Sequence, residues 1–276
     1  MKEQCKDPIQ VETLRQEIAR LERSRFRGGD RPISSGCVPL DRLLPEGGFR
    51  RAALAEWLSA GQGSGATTLA LAAARQACRD GGALVVLDRR REFYPPAAVR
   101  LGIEPEELIV VQAGSQPDEH WALDQALRCR GVAAVLAWPE RLDGRTFRRL
   151  QLAAEEGGGL GLLIRPLVAR GEPSWADVRL LVEPLPAASG ATAGSSSSAA
   201  ITVGQAGHRP KVGRGTRQNH IARPPGRKRR LRIHLLRCRG GAAGRSIDLE
   251  IDDETCSVHL AARLAHPAAY ADAAGA

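Results

Sequence analysis

Aromatic residues are scarce: Phe, Tyr and Trp make up only 4% of the 276 residues. A core must therefore rest on Leu, Val, Ile and Ala, within a hydrophobic content of 43%. No apolar run approaches the roughly 18 residues that a membrane-spanning helix needs. The opening Met1-Lys-Glu-Gln-Cys-Lys-Asp-Pro8 has no apolar stretch of the kind a secretory leader carries, so a cytoplasmic protein is expected. Cys5, Cys37, Cys78, Cys129, Cys238 and Cys256 form no C-x-x-C pair and keep no His cluster. That argues against a zinc site and fits reduced thiols. Acidic residues are missing altogether between Glu183 and Asp248, where Lys and Arg number thirteen. The chain's net +9 thus belongs to this one segment, and the remainder is slightly acidic. Such asymmetry points to a polyanion partner, with a solubilising tail as the bland alternative.

What is present begins with Ala60-Gly-Gln-Gly-Ser-Gly-Ala-Thr-Thr68. It follows the apolar Ala53-Leu-Ala-Glu-Trp-Leu58 and precedes Leu69-Ala-Leu-Ala-Ala-Ala-Arg75. Strand, glycine-rich turn and helix are the setting of a phosphate-binding loop. In such a loop, backbone N–H groups and the helix N-terminus surround the phosphates. Gly61, Gly63, Ser64, Gly65, Thr67 and Thr68 are the candidate nucleotide-binding residues, with Thr67 placed to ligate Mg²⁺. The lysine that normally follows the last glycine is replaced by Ala66. The opening glycine is displaced too: Ala60 holds its slot, and Gly61 comes one residue late. A glycine-rich turn with no ligand is the competing reading.

Taken in order, residues 10–26 read as an amphipathic helix, with Val11, Leu14, Ile18 and Leu21 on one stripe. A short helix is expected over 39–44. Strands are expected at 53–58, 83–88, 107–111, 132–138, 160–165 and 178–182, and helices at 97–101, 118–130 and 144–156. The alternation implies a parallel sheet with helices on both faces. Residues 187–230 change character, first Ser/Gly/Ala-rich and then basic, and read as a disordered linker. Residues 231–251 read as a hairpin that completes the same sheet, with 247–251 as its antiparallel edge strand. An Ala-rich tail follows. The domains are therefore 1–30, 31–186, 187–230 and 231–276.

The order and wording of these elements resemble the RecA core. Ile33-Ser-Ser-Gly36, Pro39-Leu-Asp41 and Gly47-Gly48 are similar to the segment leading into that family's ATP site. Gly63-Ser-Gly-Ala-Thr-Thr-Leu-Ala-Leu71 is similar to its phosphate loop, and Leu101-Gly-Ile-Glu-Pro-Glu-Glu-Leu-Ile109 continues the likeness. Within the superfamily, the ImuA-type accessory factors of damage-induced mutagenesis are the nearer resemblance. It is carried by Tyr94-Pro-Pro-Ala97, Trp121-Ala-Leu-Asp-Gln-Ala-Leu127, Ala137-Trp-Pro139, Arg148-Arg-Leu-Gln-Leu-Ala-Ala-Glu155, Leu163-Ile-Arg-Pro166 and Leu235-Leu-Arg-Cys-Arg-Gly-Gly241. The likeness spans 33–186 and 231–251.

The resemblance implies a RecA-like α/β core, mostly parallel, with antiparallel strands at the C-terminal end. It also implies three requirements for hydrolysis. The loop lysine slot holds Ala66. The glutamate slot that would polarise water falls on Arg90, with Glu92 two residues away. The acid expected to close the fourth strand is replaced by Trp138-Pro139, with Glu140 beyond. No catalytic residue, metal or enzymatic activity is therefore expected, and no cofactor beyond weak ATP binding. Arg89, Arg90 and Arg91 are candidates to supply the missing phosphate-binding charge, to meet a partner's acidic surface, or simply to form a solvated loop. The implied role is a scaffold for translesion synthesis in the damage (SOS) response. Its implied partners are a Y-family-like polymerase homologue, a specialised replicative-type polymerase and RecA; the rival is a DNA-dependent ATPase or recombinase. Arg214, Arg217, Arg223, Arg227, Lys228, Arg229 and Arg230 are the DNA-binding candidates, and nucleoid association follows from that contact. Without aromatics in the segment, a dedicated single-strand stacking platform is not expected. Trp57, Trp121, Trp138 and Trp175 are expected as core or interface anchors. His120, His220 and His234 stand alone.

Overall fold

The computed structural model describes residues 31–61, 63–186, 228–252 and 257–261. The amphipathic helix expected at 10–26, the bulk of the linker and the Ala-rich tail lie outside them. Helix α1 (Val38–Leu43) precedes strand β1 (Ala53–Ser59), and helix α2 (Ala66–Cys78) follows it. Then come β2 (Ala83–Leu87), α3 (Pro95–Arg100), β3 (Leu108–Val111), α4 (Gln116–Arg128), β4 (Val132–Ala137), α5 (Gly144–Gly157), β5 (Leu160–Pro166) and β6 (Val178–Leu185). Three further strands close the described chain: β7 (Lys228–Cys238), β8 (Ser246–Asp252) and β9 (Ser257–Leu260).

The nine strands among the described residues form one sheet in the order β3-β2-β4-β5-β1-β6-β7-β8-β9. β1 to β6 pair in parallel, and β7, β8 and β9 pair antiparallel. The unbroken apolar runs explain the central positions. β2 and β4 are buried along their whole length, as strands covered on both faces must be. One face packs α1, α2 and α3 through Leu40, Leu69, Ala73 and Ala98, joined by Trp57 and by Leu231, Ile233 and Leu235 of β7. The other face packs α4 and α5 through Leu123, Leu127, Phe147 and Leu150. This is the RecA-like α/β architecture expected, with the antiparallel strands at the C-terminal end.

Several boundaries move by two or three residues from expectation, and two differences change the sheet. β7 starts at Lys228, so three residues assigned to the linker are strand. Their cross-strand partners Asp252, Ile251 and Glu250 extend the ladder. β8 is not the edge, because β9 pairs with it. The four residues of β9, Ser-Val-His-Leu, are too short a run to announce a strand by alternation.

Helix termini are written locally. Ser115 caps α4 by accepting from the Asp118 N–H at 3.3 Å, and Asp143 caps α5 by accepting from the Thr146 N–H at 2.7 Å. Gly158, with φ 86°, ends α5 in the left-handed conformation. Beneath the sheet's α5 face, Glu56 of β1 is fully buried. It accepts from Arg165 Nη1 at 3.0 Å and from Ser174 Oγ at 2.6 Å, and Arg179 Nε lies 2.8 Å from it.

Candidate functional site

Parallel strands place their C-terminal ends along one edge, and loops there form the crevice of an open α/β sheet. Here that edge bears a cleft of about 730 Å³. Its walls come from the loop after β1, the loop after β2, the N-terminal part of α4, the ends of β4 and β5, and the start of β7. β7 runs antiparallel, so its first residues lie at the same edge as the last residues of the parallel strands.

The phosphate-type loop is held by its own serines. Ser59 Oγ donates to the Gly61 carbonyl at 2.7 Å and lies 2.8 Å from Ser64 Oγ. Ser64 N–H donates to the Gly61 carbonyl at 3.3 Å. Gly65 immediately precedes α2 with φ 90°, and a Cβ there would sit 2.7 Å from Leu231 Cδ2. Both the backbone conformation and the close approach demand glycine. Ala66, the first residue of α2, is buried, while Thr67 and Thr68 are half-exposed and line the cleft. The first turn of α2 presents N–H groups that no carbonyl of the helix can take. All of Gly61, Gly63, Ser64, Gly65, Thr67 and Thr68 therefore meet at one end of the cleft.

The opposite wall is ionic. Asp88, buried at the end of β2, accepts from the Glu92 and Phe93 N–H groups, both at 3.0 Å, and so shapes the turn. Arg89 donates to Glu119 of α4 at 3.0 Å and to Glu140 at 3.1 Å. Arg90 Nε donates to Glu140 at 3.1 Å, and its Nη2 also pairs with that carboxylate. The hydrogen bond from Arg90 holds the Glu140 carboxyl below its ordinary range. Burial pushes Glu119 the other way, against the pull of Arg89. Arg90, in the slot read as glutamate, thus makes an ion pair with Glu140, the carboxylate beyond β4. Glu92 lines the cleft and is exposed. Of the three candidate uses for Arg89, Arg90 and Arg91, the first two arginines serve an internal bridge between the β2 and β4 loops.

Sequence alone does not reveal two of the cleft residues. Glu119 sits 30 residues from its Arg89 partner, and only the helix N-cap at Ser115 hints at a wall there. Arg229, a DNA candidate by sequence, donates from Nη1 to the Gly63 carbonyl at 3.2 Å and lines the cleft. Lys228 pairs with Glu250 at 3.0 Å, and Arg230 stands opposite Glu250 in the ladder. Arg214, Arg217, Arg223 and Arg227 lie outside the described residues. Trp57 is fully buried against Phe49, and Trp138 packs on Phe93. Trp121 and Trp175 are not core residues: they are 66% and 43% exposed, and the Arg148 guanidinium lies 5.0 Å from the centre of the Trp175 ring. His234 does not stand alone; its Nε2 lies 2.9 Å from Glu183. No cluster of His, Cys, Asp and Glu that could hold a metal occurs among the described residues. No helix among them is long and apolar enough to cross a membrane.

Comparison with known proteins agrees with this architecture. Residues 10–134 match the RecA N-terminal domain family. Protein ImuA of Caulobacter vibrioides (strain NA1000 / CB15N) is 34% identical over 173 residues, which cover 60% of this chain and 59% of ImuA. Protein RecA of Chlorobaculum parvum is 31% identical over 142 residues, covering 47% of this chain and 41% of that RecA. Protein RecA of Desulforapulum autotrophicum is 41% identical over 104 residues, covering 38% and 30%. The chain thus aligns with rather less than two thirds of the length of ImuA. Sheet order, loop placement and these similarities converge: the chain is similar to ImuA over 60% of its length and is built on a RecA-like α/β core.

Proposed function

We propose that this chain is a non-catalytic RecA-like accessory protein of damage-induced mutagenesis. It keeps the frame of a nucleotide cleft without the groups that drive hydrolysis, and it scaffolds a mutagenic polymerase complex. The observation that carries this reading is the Arg89–Glu119 and Arg90–Glu140 wall. Phosphoryl transfer depends on positioning and on charge placed for the transition state. Here the group at the water-polarising slot is a cation, and Glu140 already serves two arginines. Loss of a single transition-state partner costs about 2.7–4 kcal/mol. Ala66, Arg90 and the Trp138-Pro139 strand end together leave nothing to supply such stabilisation.

The partners follow from the resemblance to ImuA: a Y-family-like polymerase homologue, a specialised replicative-type polymerase, and RecA. DNA contact is assigned to the basic segment through Arg214, Arg217, Arg223, Arg227, Lys228, Arg229 and Arg230. Because lysine and arginine bind phosphates without reading bases, this contact is salt-sensitive and sequence-independent. The setting is the cytoplasm at the nucleoid, in translesion synthesis under the SOS response. Affinity capture with the purified full chain tests the reading. It should retain the two polymerases and RecA, and a variant lacking residues 187–227 should keep those protein partners while losing DNA. Failure to retain any of the three would overturn the scaffold.

A further inference from the structure

Helix α5 carries its charges in the order its own dipole disfavours. Arg145, Arg148 and Arg149 occupy its first half, and Glu155 and Glu156 lie near its end. A helix favours anions at its N-terminus and cations at its C-terminus, yet α5 has no acidic residue in its first turn and no basic one in its last. Its charges therefore draw on partners outside the helix. On the flank facing α4, Arg149 Nε lies 3.4 Å from Asp124, and Glu156 pairs with Arg128. These are surface pairs of small worth, and the Arg149 and Glu156 side chains stay more than half exposed. On the other flank, Gln151 accepts from Arg148 and donates to Glu155 at 2.9 Å, and the Arg148 guanidinium lies 5.0 Å from the centre of the Trp175 ring. Leu152 stands on the crest between the two flanks, 44% exposed.

This crest is complementary to itself. Leu152 is the midpoint of its charges: Arg148 and Arg149 precede it by four and three residues, and Glu155 and Glu156 follow it by three and four. A second α5, turned end for end about a twofold axis through Leu152, keeps each flank on its own side and reverses the order along the helix. Arg148 then faces Glu155 of the second copy, and Arg149 faces Glu156 of the second copy. At 1.5 Å per residue each charge stands about 4.5–6 Å from the axis along the helix, so the facing levels agree within the reach of these side chains. Residues three and four apart also form the ridges by which helices pack. The exposed Trp175 and Trp121 shoulder the crest, the first against Arg148 and the second one turn before Asp124 on α4. Tryptophan and arginine are enriched at the energetic centres of protein interfaces. The two tryptophans widen a single-helix contact toward the roughly 1,200 Å² that a specific interface needs. Glu155 and Glu156 on the same crest oppose a continuous phosphate backbone, which argues against nucleic acid as the occupant.

We propose that the α5 crest is a homodimer surface, on which two copies of this chain pair antiparallel across Leu152 through Arg148–Glu155 and Arg149–Glu156 contacts, each made twice. Such an interface is isologous, so it closes at two copies and does not propagate. None of these five residues lines the cleft at the strand ends, so pairing leaves both clefts open. The inference stands on the charge order and exposure of α5 and is independent of the accessory role.

Sedimentation velocity of the full chain, from nanomolar to high micromolar concentration, tests the pairing. The wild type should show a monomer–dimer equilibrium with no larger species. Leu152→Asp, which sets a charge at the centre of the contact, should weaken the dimer by about tenfold or more. Arg148→Glu alone sets Glu against Glu155, and Glu155→Arg alone sets Arg against Arg148; each should weaken it by about tenfold or more. Mixed together, these two variants should recover a dimer, because every like-charge contact between them becomes an opposite one. That recovery is a readout that local damage to α5 does not produce. Arg42→Ala, an exposed arginine on α1, should leave the equilibrium unchanged. A wild type that stays monomeric throughout, or a ladder of larger species, would overturn the assignment. So would a Leu152→Asp protein that pairs as tightly as the wild type, or a mixture no better paired than its components.

Discussion

Glu56 gives the sharpest energetic prediction. Its carboxylate sits in the middle of β1, the strand that carries the phosphate-type loop, and it is fully buried. Arg165, with no exposed side-chain surface, and Arg179, with 10%, converge on it from β5 and β6. Ser174 completes the set. Replacing Glu56 by Gln keeps the volume and one oxygen but leaves two buried guanidinium groups facing a neutral amide. Breaking a buried pair by removing one partner costs roughly 3–5 kcal/mol, because the remaining charge is uncompensated. At roughly 2–4 °C per kcal/mol for a domain of this size, Tm should fall by about 6–20 °C. Glu172→Gln is the internal contrast. That carboxylate also pairs with Arg165 but is 37% exposed, so solvent screens it and the loss should stay within about 1 kcal/mol. Urea unfolding followed by circular dichroism, with the slope m unchanged, measures both. A Glu56→Gln protein as stable as Glu172→Gln would refute the claim that this network is a buried, mutually dependent charge set.

Other expectations follow from the same structure. Gly65→Ala combines a left-handed φ of 90° with a Cβ 2.7 Å from Leu231 Cδ2; it should destabilise by roughly 1–3 kcal/mol, read by thermal melts. His120 is half-buried, and desolvation lowers its pKa. The unfolded chain therefore takes the proton first, and His120 costs stability as pH falls below its ordinary value of about 6.5. His120→Gln should flatten the loss of Tm between roughly pH 7.5 and 5.5 relative to the wild type, and an unchanged pH profile would contradict this. Arg90→Ala should let the Glu140 carboxyl titrate back up toward its ordinary range, visible in its NMR titration curve, since Arg90 is the main group holding it down. Changing Arg214, Arg217, Arg223 and Arg227 to Gln should weaken binding to all DNA sequences alike. It should also reduce the salt slope by roughly 0.9 for each duplex phosphate that is no longer neutralised.

Much of the fold is legible because its central strands are written as continuous apolar runs. Ala83-Leu-Val-Val-Leu87 and Val132-Ala-Ala-Val-Leu-Ala137 have no polar face to present, so a covered parallel sheet is the consistent solution. The glycine-rich turn at 60–65 then places the cleft. What sequence does not show are encounters across long separations. Glu119 reaches Arg89 only because α4 packs beside the β2 loop, and its own neighbourhood in sequence reads as an ordinary helix start. Arg229 lies in a run of basic residues in which nothing distinguishes it from Lys228 or Arg230. Only strand alternation, fixed by the buried Leu231 and Ile233, turns it toward the loop while its neighbours turn away. The exposure of Trp121 and Trp175 leaves them, of the two roles expected, only that of surface anchors; sequence could not choose, because an aromatic among apolar residues on a helix or loop does not reveal which side of the layer it faces.

A cleft that kept its frame and lost its reaction should bind without turning over. Steady-state ATP turnover by the purified full chain, with and without single-stranded DNA, tests this most directly. No phosphate release above the protein-free background is predicted in either condition. DNA-stimulated turnover that Glu92→Gln or Glu140→Gln abolishes would contradict it, and would make the ionic wall a catalytic one.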